Sequence, residues 1–411
     1  MIFIYRILIN VVLLLSPIII IIRLLKRKED FFRFKEKIGF FSNKKKKGKL
    51  IWFHGASVGE LQSVVPILEK FEKNKKISQI LVTSNTLSSS KVIKNIKFKK
   101  VIHQFFPIDT NFISKKFINY WKPSKAIFID SEIWPNTIFN LERNKIPIIL
   151  INGRITKKTF KKWKFFSNFS KKIFSKFDMC LSSSKESLYH LKKLNCKNTE
   201  FIGNLKFSEA ENPIKPIDKE LKKFFKNKKI WCASSTHQSE EKFCGQAHLL
   251  LKKKFKNLIT IIIPRHIERT QEIKIDLEKL KLNIHLDEPK KKIDPNADIY
   301  LVNSYGKTKS FYKNCQNVFL GGSLINHGGQ NPLEAVRYGC SILHGPYIHN
   351  FREIYDFLKK NKITYKIKTY QNLNDSLSKL LRDKIKKRNM QKKMKLIGSK
   401  ILEKTYKKIY H

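Results

Sequence analysis

Between Gly321 and Glu353 the chain reads GGSLINHGGQNPLEAVRYGCSILHGPYIHNFRE, a glycine-rich loop followed by a helical pattern. A strand is predicted before the loop (Val318–Leu320), a helix after it (Leu333–Tyr338), and a second strand beyond the helix (Ser341–Leu343). Glycines let a backbone approach a ligand closely, and a helix N-terminus presents free N–H groups to an anion. The stretch therefore predicts a pocket for a phosphate-bearing nucleotide, although the glycines alone are more typical of a plain turn in an α/β domain.

Glu334 favours the nucleotide interpretation. It lies in the first turn of the predicted helix, after Asn331 and after Pro332, whose missing N–H costs nothing at that position. A carboxylate beside a bound phosphate is electrostatically unfavourable unless it accepts hydrogen bonds, and ribose hydroxyls are the usual donors. His344 and His349 then follow a strand, at the end where α/β proteins bind ligands.

The composition indicates a globular protein of about two domains with a basic surface. The chain has 411 residues, 41% of them hydrophobic, and a net charge of +52 from 85 Lys+Arg against 33 Asp+Glu. The basic residues are spread along the whole chain, as an AT-rich genome would produce. The excess still favours an anionic membrane leaflet or a phosphorylated substrate as partner. No aromatic-basic motif is present, so we expect no nucleic-acid partner, and six cysteines without a CxxC spacing predict neither a metal site nor disulfides.

The N-terminus is typical of a membrane anchor. Residues Ile7–Ile22 are almost entirely apolar, a little short of the ~20 residues that span a bilayer, and a basic cluster follows (Arg23, Lys26, Arg27, Lys28). No small-residue cleavage site follows, which favours a retained anchor over a removed signal peptide. The basic cluster predicts that the body of the protein lies on the cytoplasmic side of the inner (plasma) membrane. Pro17, in the middle of the run, leaves open a helix that lies in the membrane interface.

Strands alternate with helical patterns through the rest of the chain, which predicts βαβ units and parallel sheets. The chain divides into a membrane anchor (1–28), a first Rossmann-like domain that binds the acceptor (29–211), a linker (212–228), a second Rossmann-like domain that binds the nucleotide sugar (229–372), and basic C-terminal helices (373–411). The predicted strands are Leu50–His54, Ile80–Thr83, Val101–Phe106, Ala126–Ile129, Pro147–Ile151, Met179–Ser182, Phe201–Gly203, Ile230–Ala233, Leu258–Ile263, Asn283–Leu286, Ile299–Val302, Val318–Leu320 and Ser341–Leu343.

Glu60 is a candidate for acid–base chemistry. In WFHGASVGE a strand ends at His54, two glycines bracket a turn, and a helix starts near Glu60. An acid in the first turn of a helix interacts favourably with the helix dipole, and position alone favours that interpretation. The functional alternative is a general base that takes the proton of an acceptor hydroxyl in the cleft.

Four further motifs lie at strand ends, and each is weak alone. In DSEIWPN (Asp130–Asn136), acids follow a strand and Ser131 is a possible N-cap. In GNLKF, Lys206 either binds a phosphate or carboxylate or is one more surface lysine. ASSTH (Ala233–His237) suits an anion or a helix cap. In PRHIER, Arg265 is placed for a bidentate phosphate contact or is a surface arginine.

Together these motifs resemble the 3-deoxy-D-manno-octulosonic acid (Kdo) transferase family of lipopolysaccharide synthesis. The motifs occur in the family's order over nearly the whole chain: HGASVGE (54–60), DSEIWPN (130–136), GNLKF (203–207), ASSTHQSEE (233–241), PRHIER (264–269), GGSLINHGGQNPLEA (321–335) and GPYIHNFREI (345–354). The resemblance implies an α/β protein of the GT-B type, with two doubly wound Rossmann-like domains facing a central cleft and an N-terminal membrane-anchor helix. It implies transfer of Kdo from CMP-Kdo to the tetraacylated lipid A precursor (lipid IVA), with neither a metal nor a cofactor.

The resemblance also assigns roles to individual residues. Glu60 matches the catalytic base, and Asp130 and Lys206 match positions that stabilise the transition state. The family usually has Glu where this chain has Asp130, so the carboxylate is one methylene shorter and Glu132 could share its role. The CMP site maps onto Pro264, Arg265, Tyr305, Gly306, Lys307, Asn331, Pro332, Leu333 and Glu334, with Tyr305–Lys307 the least specified part.

The resulting hypothesis is an inverting sugar transfer in which Glu60 deprotonates the acceptor hydroxyl. The phosphate of the leaving CMP is held by Arg265, the glycine loop and the helix after Asn331. One alternative is another GT-B lipid glycosyltransferase that uses a UDP-sugar. A different alternative is a basic membrane-associated binding protein without catalysis, which the acids and Arg265 argue against.

Overall fold

The computed structural model describes residues 1–209, 216–288, 292–382 and 387–410, with only the backbone described for 387–390. The chain forms two compact units: unit 1 comprises Met1–Ala210 and Ile397–His411, and unit 2 comprises Glu211–Leu396. Of the predicted linker 212–228, residues 212–215 lie outside the described residues, as do 383–386 and 411 of the predicted C-terminal helices. The described part of the linker contains a helix, Lys219–Phe225.

Unit 1 is built on a seven-stranded, all-parallel sheet with the strand order β3-β2-β1-β4-β5-β6-β7. The strands are β1 (Leu50–His54), β2 (Gln79–Ser84), β3 (Val101–Phe105), β4 (Lys125–Ile129), β5 (Ile148–Gly153), β6 (Met179–Ser182) and β7 (Thr199–Phe201). The helices are α1 (Ile2–Leu25), α2 (Val58–Glu72), α3 (Leu87–Lys94), α4 (Asn111–Trp121), α5 (Pro135–Arg143), α6 (Lys157–Phe165), α7 (Ser167–Phe174) and α8 (Lys185–Lys193).

Strand β1 lies at the point where the strand order reverses. Every residue of β1 is buried, because Trp52 packs into the core on one face of the sheet and Ile51 and Phe53 pack on the other. In a doubly wound sheet the ligand binds outside the carboxyl ends of the strands at this reversal. The residues after His54 and Ile129, at the ends of the paired strands β1 and β4, are therefore placed for function.

Unit 2 is built on a second seven-stranded, all-parallel sheet with the order β10-β11-β9-β8-β12-β13-β14. The strands are β8 (Lys229–Thr236), β9 (Leu258–Pro264), β10 (Ile284–Leu286), β11 (Ile299–Leu301), β12 (Asn317–Leu320), β13 (Ser341–His344) and β14 (Thr364–Lys366). The helices that follow the first unit are α9 (Lys219–Phe225), α10 (Glu240–Lys252), α11 (Thr270–Glu278), α12 (Thr308–Asn314), α13 (Leu333–Arg337), α14 (Arg352–Lys360), α15 (Tyr370–Arg382) and α16 (Lys387–Tyr410).

The end of α16 belongs to unit 1. Ile409 is fully buried in the core beneath α2, and Ile401 and Leu402 pack against the same core. A Cβ on Gly398 would stand 2.3 Å from the carbonyl oxygen of Phe207, so only glycine lets α16 approach this closely.

The predicted α/β fold with two doubly wound Rossmann-like domains is confirmed, and each predicted strand is present within a few residues of its predicted ends. Strand β14 was not predicted, because three residues with the sequence TYK carry no clear alternation of apolar and polar side chains. The predicted helix after the glycine loop is present, but α13 has only five residues. Its dipole is correspondingly small.

Candidate active site

Glu60 is held at the start of α2 by a reciprocal cap. The Ser57 hydroxyl accepts a hydrogen bond from the Glu60 N–H (3.3 Å) and donates one to Oε1 of Glu60 (2.7 Å), while the Ala56 N–H donates to Oε2 (2.7 Å). Burial raises the pKa of Glu60, the Ser57 hydrogen bond opposes that rise, and the nearby Glu132 carboxylate adds to it. Glu60 thus lies in the first turn of a helix, as predicted, and its carboxylate is oriented there with a raised pKa.

Asp130 follows β4 with a left-handed backbone, φ 62°. Its N–H donates to the carbonyl of Ile151 (3.0 Å), and its own carbonyl accepts from the N–H of Arg154 (3.2 Å). The side chain is buried, and its pKa is raised to about 6, chiefly by burial and also by the nearby Glu60 carboxylate, while Lys206 and Arg154 oppose the rise. Non-glycine residues in this region of backbone space are uncommon and cluster at functional sites.

Lys206 reaches the same place from the segment that follows the edge strand β7. It lies in a short 3₁₀ turn, Leu205–Ser208, whose amides are held by Asn152 (Leu205 N–H, 2.9 Å) and by Asn204 (Lys206 N–H, 3.0 Å). A Cβ on Gly59 would stand 3.9 Å from the Lys206 Nζ, which places the ammonium over the first turn of α2. The structure thus brings Glu60, Asp130 and Lys206 together at one edge of the sheet.

Glu132 has a partner set of its own. Trp134 Nε1 donates to Oε2 of Glu132 (2.9 Å). Nε2 of His54 lies close to both atoms, 3.0 Å from Trp134 Nε1 and 3.3 Å from Oε2 of Glu132. The other ring nitrogen of His54 is hydrogen-bonded to Oγ1 of Thr83 (2.9 Å). The tryptophan and the histidine therefore hold the Glu132 carboxylate. The sequence had given His54 no role.

The predicted N-cap at Ser131 is wrong. Helix α5 begins later, at Pro135, and no side chain of the preceding residues caps it. Its first amides are instead held by Asp109, whose buried carboxylate accepts from the N–H groups of Asn136 (2.9 Å) and Thr137 (2.8 Å). Burial raises the pKa of Asp109 to about 6, against the hydrogen bonds from Thr137 and Tyr5.

In unit 2 the glycine loop is wrapped around a carboxylate of the protein. Oε2 of the buried Glu240 accepts from the N–H of Gly322 (2.7 Å), and Oε1 accepts from the N–H groups of Ser323 (3.1 Å) and Leu324 (3.0 Å). A Cβ on Gly321 would stand 2.4 Å from the carbonyl oxygen of Ser235, so this residue must be glycine. Because all three amides donate to Glu240, the expectation that they bind phosphate is corrected. Their hydrogen bonds instead fix the conformation of the loop.

Cationic and imidazole side chains surround that loop. The ring of His237 lies 4.5 Å from the ring of His327 and 6.1 Å from that of His266, measured between centroids. The pKa of His237 is lowered to about 4, chiefly by burial and also by the charges of the two other histidines and Arg265. Arg265 is exposed at the end of β9, with its N–H bound to the carbonyl of Thr236 (2.9 Å). Such a cluster suits an anion, and sequence reasoning had singled out only its arginine and the ASSTH motif.

The other predicted nucleotide residues lie around α12 and α13. Oδ1 of Asn331 accepts from the N–H of Leu333 (3.1 Å), and Glu334 forms an ion pair with Lys309 (3.3 Å), which joins the two helices. Pro264 is the buried last residue of β9, and Pro332 caps α13. Tyr305 and Gly306 are exposed, and Lys307 forms an ion pair with Asp287 (2.7 Å).

Across the described ranges, no group of three or more His, Cys, Asp or Glu side chains has the geometry of a metal site. Among the same residues, one helix, α1, is long and apolar enough to cross a membrane. All six cysteines are free, and five of them are buried.

Comparison with known proteins identifies the family. The family model described as "3-Deoxy-D-manno-octulosonic-acid transferase (kdotransferase)" matches residues 32–209. A 3-deoxy-D-manno-octulosonic acid transferase of Rickettsia bellii is 33% identical over 372 residues, covering 90% of this chain and 88% of the relative. The enzyme of the same name from Haemophilus influenzae is 28% identical over 85% of this chain and 84% of its own.

Among solved structures, UDP-GlcNAc 2-epimerase from Neisseria meningitidis has a TM-score of 0.58 at 11% identity, over 87% of this chain and 100% of that one, which supports the GT-B fold alone. The sequence relatives go further than the fold, because they match most of the chain at an identity that defines a family. The chain belongs to the 3-deoxy-D-manno-octulosonic acid transferase family of Kdo-transferring glycosyltransferases.

Proposed function

We propose that this Kdo transferase moves Kdo from CMP-Kdo to the lipid A precursor lipid IVA, with inversion at the anomeric carbon and without a metal ion. The observation that carries the proposal is the convergence of Glu60, Asp130 and Lys206 at the carboxyl edge of the unit 1 sheet. Sugar transfer needs a proton acceptor and a group that compensates the developing charge. The two acids and the one cation can supply both.

Glu60 is the proposed general base. Its carboxylate is oriented by Ser57 and Ala56, and its raised pKa makes it a better proton acceptor than an exposed glutamate. It takes the proton of an acceptor sugar hydroxyl while that oxygen attacks the anomeric carbon of Kdo. The bond from that carbon to the CMP phosphate oxygen breaks, and its electron pair leaves with CMP. Attack opposite the leaving group gives inversion.

Asp130 and Lys206 are proposed to stabilise the transition state. Lys206 opposes the rise of the Asp130 pKa, so the ammonium and the carboxylate interact before any substrate binds. The ammonium also lies near the first turn of α2, which carries the base. In this assignment Glu132 is a positioning residue, because Trp134 and His54 hold its carboxylate.

The leaving CMP is proposed to bind in unit 2. Arg265 offers positive charge to the phosphate, and the imidazole cluster His237, His266 and His327 offers N–H donors. Glu334 is proposed to accept from the ribose hydroxyls, with Asn331, Pro332 and Leu333 shaping its surroundings. Pro264 and the segment Tyr305, Gly306 and Lys307 complete the proposed nucleotide site. Because CMP is an activated leaving group, cationic side chains suffice to hold its charge.

The proposed location is the inner membrane, with the catalytic body on the cytoplasmic side, next to an anionic leaflet. The support is the apolar helix α1 followed by the basic cluster of Arg23, Lys26, Arg27 and Lys28. The proposed division into anchor, acceptor domain, linker, nucleotide-sugar domain and C-terminal helices follows the residue ranges predicted from the sequence.

The decisive experiment is a turnover assay with CMP-Kdo and tetraacylated lipid A precursor, analysed by mass spectrometry. We expect the acceptor to gain the mass of Kdo and CMP to be released, with CMP inhibiting far more strongly than UDP. Stronger inhibition by UDP would support the UDP-sugar alternative. Donor binding without CMP release would support a protein that has lost catalysis. The number of mass increments would show how many Kdo residues are added.

A further inference from the structure

One side of α1 is covered along its whole length. The less exposed residues recur every three or four positions: Ile2, Tyr5, Arg6, Ile9, Leu13, Ser16, Ile20, Arg23 and Leu24. This spacing marks one face of a helix. The opposite face is exposed and apolar: Phe3, Ile4, Ile7, Val11, Leu14, Ile18, Ile21, Ile22 and Leu25. The covered stripe begins in the first turn and continues into the last.

The N-terminal end of α1 is bound to unit 1. The Tyr5 hydroxyl donates to Oδ2 of Asp109 (2.8 Å), the same carboxylate that holds the start of α5. Nε of Arg6 donates to Oδ1 of Asn136 (3.0 Å), on α5 itself. The first basic residue of the helix therefore faces the protein, and Ile2 packs against the unit 1 core.

The C-terminal end of α1 is bound to the same unit. Nε of Arg23 and Nζ of Lys37 both donate to Oε1 of the buried Glu29, each at 2.6 Å. The carbonyl of Lys37 accepts from the N–H of Ile108 (2.8 Å), the residue next to Asp109. The contacts at the two ends of α1 therefore lead to two neighbouring residues of one loop, Ile108 and Asp109.

These contacts are incompatible with a helix that spans a bilayer. A helix of 24 residues is about 36 Å long, and the hydrocarbon core of a bilayer is about 30 Å thick. A spanning α1 would place Tyr5 and Arg23 on opposite sides of the membrane, yet both are held by one folded unit on one side.

We propose that α1 lies in the plane of the membrane, on the surface of unit 1, with its exposed apolar face in the acyl–headgroup boundary. The occupant of that face is an anionic bilayer, because the exposed basic residues Lys26, Arg27 and Lys28 lie at the helix end, where they meet lipid phosphates. The proposal rests on the membrane location proposed above, but on no part of the reaction. In this arrangement the helix that binds the membrane is packed on the unit that contains the proposed catalytic residues.

The first test measures depth along the helix. Ile4, Val11, Ile18 and Leu25 are seven residues apart on the exposed face, and each is replaced singly by cysteine and spin-labelled in the full chain. The variants are bound to vesicles of phosphatidylethanolamine and phosphatidylglycerol, without donor or acceptor. We expect all four labels to lie at the same shallow depth by oxygen and nickel-chelate relaxation, with Ile4→Cys reached by a membrane-impermeant reagent from the outer side.

A depth that is greatest at Val11 and Ile18, with Ile4 and Leu25 at opposite surfaces, would overturn the proposal. Failure of the protein to float with the vesicles would overturn it as well, and so would burial of the labels in a protein dimer. Because no substrate is present, none of these results depends on whether CMP-Kdo is the donor.

The second test measures the contact at the N-terminal end in the vesicle-bound protein. Tyr5→Phe, Asp109→Asn and the double variant are compared by thermal unfolding, with Tyr189→Phe as the matched control at an exposed tyrosine. We expect Tyr5→Phe to lower the midpoint in the wild-type background and to have little further effect beside Asp109→Asn. Additive effects would mean that Tyr5 and Asp109 are apart in the membrane, and would overturn the proposal.

Discussion

Oε2 of Glu240 accepts a hydrogen bond from the backbone N–H of Gly322 at 2.7 Å, which joins the start of α10 to the glycine-rich loop. The same oxygen accepts from the N–H of His237 (3.0 Å), at the centre of the imidazole cluster. A single buried carboxylate therefore holds the wall of the proposed phosphate site and one of its side chains. Glu240 is a structural residue, and its loss should change ligand binding at the proposed phosphate site.

Replacement of Glu240 by Gln should loosen the loop. The amide NH₂ group cannot accept, so at least one buried N–H loses its partner, at a cost of about 1–3 kcal/mol. We expect amide hydrogen exchange at Gly322, Ser323 and Leu324 to accelerate by roughly 10- to 100-fold in mass-spectrometric measurements. Glu278→Gln, at an exposed position on α11, is the control and should leave exchange in the loop unchanged. Unaltered protection in the Glu240 variant would contradict the structural role.

Replacement of Glu60 by Gln should remove turnover and leave the fold intact. The Gln oxygen still accepts from the Ala56 N–H and its NH₂ group can donate to the Ser57 hydroxyl oxygen, but Gln takes no proton, and general bases contribute about 10²–10⁴-fold to rates. We expect kcat to fall by that factor with CMP binding unchanged, whereas Glu69→Gln, at an exposed position of the same helix, should behave as wild type. A folded Glu60→Gln enzyme with normal turnover would refute the base assignment.

Asp130 should make stability depend on pH. Burial raises its pKa from 3.8 to about 6, so the folded state retains the proton that the unfolded chain loses between these values. Stability supplied by this group is complete below about pH 4 and is lost as the pH rises through about 6. We therefore expect Asp130→Asn to gain up to about 3 kcal/mol relative to wild type between pH 4 and pH 7, measured by urea denaturation. Asp109 titrates in the same range, so only the difference between the two proteins is informative. A pH-independent difference would contradict the shift.

Arg265→Ala should weaken binding of the phosphate and leave the nucleoside unaffected. Charge-assisted hydrogen bonds contribute about 1.5–3 kcal/mol, so we expect CMP affinity to fall by roughly 10- to 100-fold in calorimetric titrations. Cytidine affinity should change little, because cytidine has no phosphate. Lys274→Ala, on α11, is the control for loss of one surface charge. Equal losses for CMP and cytidine would show that Arg265 contacts the base or the sugar.

Glu334→Ala should weaken binding of both CMP and cytidine. The carboxylate is partly exposed and bound to Lys309, so ribose hydroxyls must displace or share that partner. Loss of a charged acceptor should lower the affinity for both ligands by roughly 10- to 100-fold. Lys309→Ala removes the competing cation and should change both affinities less than threefold. A larger loss in the Lys309 variant than in the Glu334 variant would reverse the assignment.

Burial is the reason that the strands could be predicted from the sequence. Leu50–His54 and Met179–Ser182 were predicted with their observed ends, because a short apolar run bounded by turn residues is typical of a strand buried on both faces. The positions of the acids after His54 and Ile129 follow from the place where parallel strands end.

Long-range contacts account for the features that could not be predicted. The caps of α5 and of the glycine loop are carboxylates 27 and 82 positions away in the chain, and local patterns carry no information at that distance. Ser131 matched the local signal for an N-cap, yet a buried carboxylate from the loop after β3 is the stronger acceptor. The imidazole cluster was missed for the same reason, because its three histidines come from three separate strand ends.

The left-handed backbone at Asp130 limits how this position can change in evolution. Asn and Gly adopt such a backbone readily but discard the charge, whereas Glu keeps the charge and is disfavoured there. A longer acid at this position would require the turn after β4 to relax, including the hydrogen bond from the Arg154 amide to the Asp130 carbonyl. The charge of Arg154 also acts on the Asp130 carboxylate, so a change of acid at 130 would alter the electrostatic role of the side chain at 154.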